Sequence, residues 1–324
     1  MGLHDTIEAG SQIDSYLVEA AVARSGMASI FRARDVRDDR IVALKIPHPD
    51  LESDPILYDR FKRESDIGEK LDHPKVMRVF SDAKRSRMYM VMEWCDGRLL
   101  RQILSDGRIS HDRAVHIAVE VLEALEYIHA NGVIHRDLKP ENIMVGADDE
   151  IKLIDFGIAG DSAAKRLTYA NITAALGTPD YISPEQVKGK RGDRRSDIYS
   201  VGVILYEMLS GRTPFSGPSP IAVMNDRLLN HPMPPRIADP SVTPQLQEVL
   251  YRALERDPVN RYANAHEFQL DLLHLDQVGV EERTEFLNWD KRKSHTRQRL
   301  FYYTGLALIP VALLALMFLL AHHS

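Results

Sequence analysis

An α+β chain folded into two lobes, with one membrane-crossing helix appended at the C-terminus, is the fold the sequence predicts. Three observations carry that expectation. Short apolar runs suited to strands cluster before about residue 95, and longer stretches with helical spacing follow. A final run, Leu300 to Ala321, contains no Asp, Glu, Lys or Arg. The 324 residues, 44% hydrophobic and 27% charged, have the composition of a packed globular chain rather than a disordered one.

Early in the chain, Asp5, Glu8 and Asp14 interrupt any apolar run, so no signal peptide is expected. Ile41–Ile46 and Met88–Trp94 read as strands. Between them Ser53, Asp54 and Pro55 supply the cap and first turn of a helix running to about Leu71. From His111 to Asn131, Ala114, Ile117, Ala118, Val121, Leu122, Leu125 and Ile128 recur at helical spacing, and Gly132 stops the helix. The stretch Asp197–Leu209 is apolar almost all round, as a buried helix should be, with Gly211 as its C-cap. Residues 1–290 show no internal repeat and no low-complexity tract.

The run at 300–321 would make a helix of about 33 Å, enough for a hydrocarbon core of about 30 Å. Lys291, Arg292, Lys293, Arg297 and Arg299 precede it, and Tyr302 and Tyr303 lie where an aromatic belt would sit. Pro310 is tolerable in a membrane helix. The positive-inside rule therefore predicts a single-pass protein of the cell membrane, with residues 1–299 cytoplasmic and 322–324 outside. Three outer residues are too few for a sensor, so regulation is expected from the cytoplasm, the lipids or a membrane partner. The basic stretch before the run would also be drawn to anionic headgroups, making the bilayer a partner.

Charge and cysteine content narrow the function. Lys and Arg number 41 against 47 Asp and Glu, a formal charge of −6, which gives no reason to expect nucleic acid as a partner. With Cys95 as the one cysteine, no intrachain disulfide or cysteine zinc site can form, and none of the 13 histidines makes an H-E-x-x-H pair. What remains prominent is acidic and lies mid-chain. His135-Arg136-Asp137-Leu138-Lys139-Pro140-Glu141-Asn142 is followed by Asp155-Phe156-Gly157, and upstream Val42-Ala43-Leu44-Lys45 ends in a lysine on a predicted strand.

With these motifs in this order, the sequence closely resembles the eukaryotic-type (Hanks-type) Ser/Thr protein kinases, above all the membrane-anchored bacterial members, over roughly residues 12–275. The resemblance implies a bilobal kinase fold. Residues 1–11 would be a tail, 12–95 the N-lobe with its hinge, 96–275 the C-lobe, and 276–299 a basic juxtamembrane segment. It also implies transfer of the γ-phosphate of ATP to Ser or Thr hydroxyls of protein substrates, with Mg2+ or, as a substitute, Mn2+. A homodimer is compatible with it. Phosphoryl transfer asks a protein for positioning and charge neutralisation. By resemblance, Asp137 would orient the acceptor hydroxyl and take its proton, and Lys139 would place positive charge near the transferring group. Asn142 and Asp155 would hold magnesium. Lys45 would meet the α- and β-phosphates, steadied by an ion pair with Glu64. Backbone groups of Glu93 and Cys95 would bind adenine, with Met92 gating the back pocket. Without a basic neighbour, Cys95 has no visible activation as a thiol.

The stretch Asp155–Glu185 resembles the family's activation segment. Thr173, then Thr168, then Ser162 are the phosphorylation candidates, with Arg136 to pair the added phosphate. Thr178 would dock substrate beside Asp137, Glu185 would pair with Arg261, and Asp197 would tie the catalytic loop to the buried helix.

One departure stands out. The family's three phosphate-loop glycines align with Ala23, Ser25 and Ala28, leaving only Gly26 in that loop. A replacement forced into a left-handed conformation would cost about 1–2 kcal/mol, enough to weaken nucleotide binding about tenfold. The rival reading is accordingly a membrane-anchored pseudokinase scaffold. A small-molecule phosphotransferase is disfavoured, because Gly177–Glu185 looks like a platform for a protein substrate.

Overall fold

The computed structural model describes residues 7–25, 28–49, 54–81, 85–155 and 179–281. The predicted membrane helix at 300–321 and its basic flank lie outside them, as do Gly26, Ser162, Thr168, Thr173 and Thr178. Among the described residues no helix is long and apolar enough to cross a membrane.

The N-terminal part is a six-stranded antiparallel sheet in the order β1-β2-β3-β4-β6-β5. Its strands are β1 (Gln12–Ile13), β2 (Tyr16–Arg24), β3 (Ala28–Asp35), β4 (Ile41–Pro47), β5 (Val79–Phe80) and β6 (Met90–Glu93). Alternation along β4 decides which side chain faces where. Val42, Leu44 and Ile46 enter one core with Tyr16, Phe31 and Tyr89. Ala43 faces the other way, into a cluster with Phe61, Met90 and Met92. Lys45, two residues on, therefore shares the face of Ala43, which is the face that Phe61 covers.

Phe61 belongs to α1 (Pro55–Gly68), which Asp54 opens by accepting the Ile56 N–H at 2.9 Å. Its buried positions Phe61, Ser65 and Gly68 lie on one face, with Glu64 at the margin. The helix ends at Gly68 rather than near Leu71, because chain and sheet meet there. A Cβ on Gly68 would stand 2.4 Å from Val79 Cγ2. The strand expected over Met88–Trp94 narrows to Met90–Glu93, the stretch that pairs with β4.

The larger part starts with β7 (Arg98–Leu99), α2 (Leu100–Asp106) and α3 (His111–Ala130), followed by β8 (Ile143–Val145) and β9 (Ile151–Leu153). β7, β8 and β9 form a small antiparallel sheet. Then come α4 (Pro184–Val187), α5 (Arg194–Ser210), α6 (Pro220–Leu229), α7 (Pro235–Ala238), α8 (Pro244–Ala253) and α9 (Ala265–Leu273). Ser110 caps α3, accepting the Arg113 N–H at 3.3 Å, and the helix packs its apolar stripe against α5 and α9. α5 is buried on nearly every side and stops at Gly211, whose φ of 72° is left-handed. It begins at Arg194, a turn earlier than its apolar pattern shows, because Asp193 caps a first turn made of polar residues.

Among the described residues, two backbone hydrogen bonds join the parts. Met77 N donates to Leu153 O and Leu153 N to Lys75 O, each at 2.9 Å. Lys75 then extends into α3, reaching Glu120 at 2.7 Å and also Glu123, and the His73 ring stacks on Tyr127. Deeper in the larger part, Arg261 makes a two-pronged ion pair with Glu185 at 2.7 and 2.9 Å. The Arg261 side chain has 0% exposure and Glu185 10%.

Arg261→Ala leaves the Glu185 carboxylate buried without its cation. The expected loss is about 3–5 kcal/mol, to be read as a lowered midpoint in chemical denaturation. A shift under about 1 kcal/mol would show that the pair holds nothing together.

Candidate active site

Lys45, Glu64 and Asp155 meet although 110 residues separate the first from the last. Sheet register places Lys45 opposite Met90, α1 presents Glu64, and Asp155 follows β9. Lys45 Nζ lies 2.5 Å from Glu64 Oε1 and 3.1 Å from Asp155 Oδ1. Lys45 and Glu64 side chains are 14% and 15% exposed, whereas Asp155 keeps 52%. The backbone of Asp155 is left-handed, with φ of 68°. For a residue with a Cβ this is uncommon, and it occurs where surrounding contacts over-determine the chain.

One cation thus serves two carboxylates, and their protonation diverges. Burial opposes the charge on Lys45, but the two acids outweigh it and raise its affinity for the proton. Burial likewise opposes ionisation of Asp155, yet the Lys45 charge holds its carboxyl well below the usual range. Glu64 yields: burial, against the pull of Lys45 and with the Asp155 charge adding to it, pushes its carboxyl up to about 8.

The loop from His135 to Asn142 hangs from Asp197. That fully buried carboxylate accepts the backbone N–H of His135 at 2.9 Å and of Arg136 at 2.7 Å, and it contacts His129 Nε2 at 2.8 Å. Arg136 is held left-handed, at φ of 64°, with its carbonyl accepting from Gln186 Nε2 at 2.9 Å. His129 and Gln186 escape the sequence reading: one looks like a basic residue in a last helical turn, the other like a polar residue in a first turn. Within the loop, Lys139 Nζ donates to Asp137 Oδ2 at 2.7 Å, and Asn142 Nδ2 to the Asp137 carbonyl at 2.8 Å. The amide oxygen of Asn142 is then its remaining ligand atom. Together with the ionised Asp155, it makes a hard-oxygen pair of the kind magnesium takes when phosphates complete its shell. Among the described residues no group of three His, Cys, Asp or Glu side chains could hold a metal without such help.

At the end of β6, Met92 is buried, and Glu93 pairs with Lys152 at 2.7 Å. The Cys95 thiol is pushed up to about 11 by burial and by the nearby Glu93 charge, so it is not an activated nucleophile. At the described positions flanking the β2–β3 turn, the strain considered for the replaced glycines does not arise. Ala23, Ser25 and Ala28 all have ordinary negative φ, with none in the left-handed region. The strands stay paired through Ala23↔Ile30 and Arg24↔Ser29. Ser25 closes the turn, with its N–H donating to Ala28 O at 2.9 Å and its hydroxyl accepting from Ala28 N at 3.1 Å.

A strand-borne lysine, a helix-borne glutamate and a loop pairing Asp137 with Asn142, set between a β-rich part and a helical part, define a protein kinase domain. The chain belongs to that family: the protein kinase domain model matches residues 16–272. It is 39% identical over 263 residues to the probable serine/threonine-protein kinase SCO3848 of Streptomyces coelicolor, covering 79% of this chain. It is 38% identical over 287 residues to the serine/threonine-protein kinase PknB of Mycolicibacterium smegmatis, covering 87%. These matches span only 39% and 46% of those two proteins' own lengths. Among solved structures, the Mycobacterium tuberculosis PknI kinase domain superposes with a TM-score of 0.65 at 24% identity, covering 83% of this chain and 100% of that one, which establishes the bilobal fold. Rad53 residues 1–466 in complex with AMP-PNP give 0.62 at 26% identity, over 79% and 64% of the two chains.

Because the folded state raises the Glu64 pKa, it binds that proton more tightly than the unfolded chain does. The resulting stabilisation is full below about pH 4.5 and is lost as pH rises through about 8. Glu64→Gln lacks this titration. Without nucleotide, the wild type is expected to lose melting temperature relative to the variant between about pH 5 and about pH 8.5, followed by differential scanning fluorimetry. A constant difference would remove the proton from Glu64.

Proposed function

We propose that this chain is a Ser/Thr protein kinase that transfers the γ-phosphate of ATP to protein hydroxyls, with its kinase domain tethered to the cytoplasmic face of a membrane. The observation that carries the catalytic reading is the convergence of Lys45, Glu64 and Asp155 beside a loop that holds Asp137 and Asn142 in fixed relation. In this reading Glu64 keeps Lys45 extended toward the α- and β-phosphates. Asp137 orients the acceptor hydroxyl and takes its proton, and Lys139, already on that carboxylate, supplies positive charge close to the transferred group. Asn142 and Asp155 hold the magnesium, which when bound offsets the charge of the phosphates. Backbone groups at Glu93 and Cys95 receive the adenine, and Ala23, Ser25, Gly26 and Ala28 cover the phosphates. The negative φ at Ala23, Ser25 and Ala28 supports a working nucleotide loop despite the replaced glycines. Thr173 and Thr168 are the proposed autophosphorylation sites, Arg136 the partner of the phosphate, and Thr178 a substrate-docking residue. Relatives named as serine/threonine-protein kinases support the choice of acceptor. The tether is supported by the charge-free run at 300–321 and its basic flank.

Purified full-length chain in detergent or nanodiscs is expected to incorporate phosphate from Mg·ATP, with phosphothreonine mapped at position 173 or 168. Asp137→Asn and Asp155→Asn should each lower the rate by at least about 100-fold. Nucleotide binding with no transfer, to itself or to a generic protein, would favour the scaffold. For the tether, alkaline carbonate should leave the chain in the membrane pellet, and deleting 300–321 should release it; extraction of the intact chain by carbonate sinks the anchor.

A further inference from the structure

The side chain of Trp94 is fastened on two sides. Its ring lies beneath the Arg32 guanidinium, whose Cζ stands 5.5 Å from the ring centroid, and its Nε1 donates to Asp96 Oδ1 at 2.8 Å. Arg32 is itself held by an ion pair with Glu19 of β2, which also accepts from Arg34 Nε at 2.8 Å. Sheet register explains how these groups meet. Across β3 and β4, Arg32 stands opposite Ala43 and Ile30 opposite Lys45, so Arg32 shares the sheet face that carries Lys45. Ile30 and Trp94 both pack against the cluster of Ala43, Met90 and Met92 on that face. The β2–β3 register shifts between Val18 and Ala20, which pair with Ala33 and Arg32, so Glu19 is the extra residue of a bulge beside Arg32.

Trp94 stands between the two residues whose backbone groups receive adenine in the kinase reading above, Glu93 and Cys95, and this inference rests on that reading. The Glu93 side chain is tied down as well, on Lys152 of β9 at 2.7 Å. Consecutive side chains of the connecting segment thus reach opposite ways, Glu93 to β9 and Trp94 to β3. A segment anchored through both side chains has few conformations left to its backbone.

We propose that Arg32 is a positioning residue for nucleotide binding: by clasping Trp94 from the sheet, it holds the backbone of residues 93–95 in its receiving conformation before ATP arrives. Without the clasp, ordering of that segment falls to the binding step and lowers affinity. Arg32 engages a carboxylate and an aromatic face together, so it is more than a lone surface ion pair, and moving it breaks both contacts. The clasp is the same with substrate bound and in the transition state. It therefore acts on nucleotide affinity and leaves the chemical step alone.

The test compares full-length wild type with Arg32→Ala and Arg32→Lys by ATP titration and steady-state kinetics. Arg32→Ala should raise the Kd for ATP, and KM with it, about three- to tenfold, while kcat stays within about twofold. Arg32→Lys keeps a cation for the ring and for Glu19 and should recover part of the loss. Glu19→Gln, which frees Arg32 on one side, should move Kd the same way by less. A second measurement reads the clasp without turnover. In a Trp289→Phe background Trp94 is the only tryptophan, and its quenching by acrylamide, with no nucleotide present, should rise on Arg32→Ala. A folded Arg32→Ala with an unchanged Kd overturns the proposal, as does a variant that loses kcat while Kd stays put, or one whose Trp94 is quenched no more than in wild type. A wild type that binds no ATP overturns the kinase reading and takes this one with it; equal binding by wild type and variant sinks the clasp alone.

Discussion

The carboxylate of Asp197 is the point from which the catalytic loop hangs. A fully buried charge is tolerable only when donors surround it, and here two of the donors are main-chain N–H groups of His135 and Arg136. Those bonds hold Arg136 in a left-handed conformation that its side chain disfavours, and Gln186 fixes the same residue from the other side. From that anchor the order of the site follows. The Asp137 carbonyl is presented to Asn142, Glu141 falls beside Arg101, and α4 is drawn against the loop. Next to Gln186 stands Glu185, whose pair with Arg261 ties α4 to the end of the chain's helical part. The acids and bases that face a substrate are held by acids and bases that never meet one.

Much of this was readable along the chain, for physical reasons. Lys45 lies on a strand whose alternation fixes its face, and Asp137, Asn142 and Asp155 stand in motifs whose spacing is set by one loop and one hairpin. Helices α1, α3 and α5 announced themselves by apolar periodicity and caps. What could not be read is what depends on distant partners. Arg101 meets residues 40, 80 and 106 positions away, and no periodicity survives such separations. The left-handed backbone at Arg136 and Asp155 is imposed by tertiary hydrogen bonds, whereas local propensity points elsewhere. The early start of α5 was hidden because its first turn is polar and its signal is a cap.

The flanks of the turn between β2 and β3 show how a motif can change its letters without straining the positions that changed. Glycine suits a backbone that visits positive φ, and the argument for strain held only if these positions did so. They do not. Ser25 adds a hydroxyl that bonds the backbone of Ala28, a restraint that glycine cannot supply.

Gly68 gives α1 a fulcrum. With no side chain there, the helix end comes flush against Val79, and the chain beyond it is stitched to the helical part at Lys75 and Met77. Glu64 sits four residues from that contact, about 6 Å along the axis at 1.5 Å per residue. On so short a lever, a swing of about 30° carries its carboxylate roughly 3 Å, more than the 2.5 Å that now separates it from Lys45. The Lys45–Glu64 contact therefore registers the angle of the whole helix, and anything that leans on the N-terminal end of α1 acts on Lys45 without touching it.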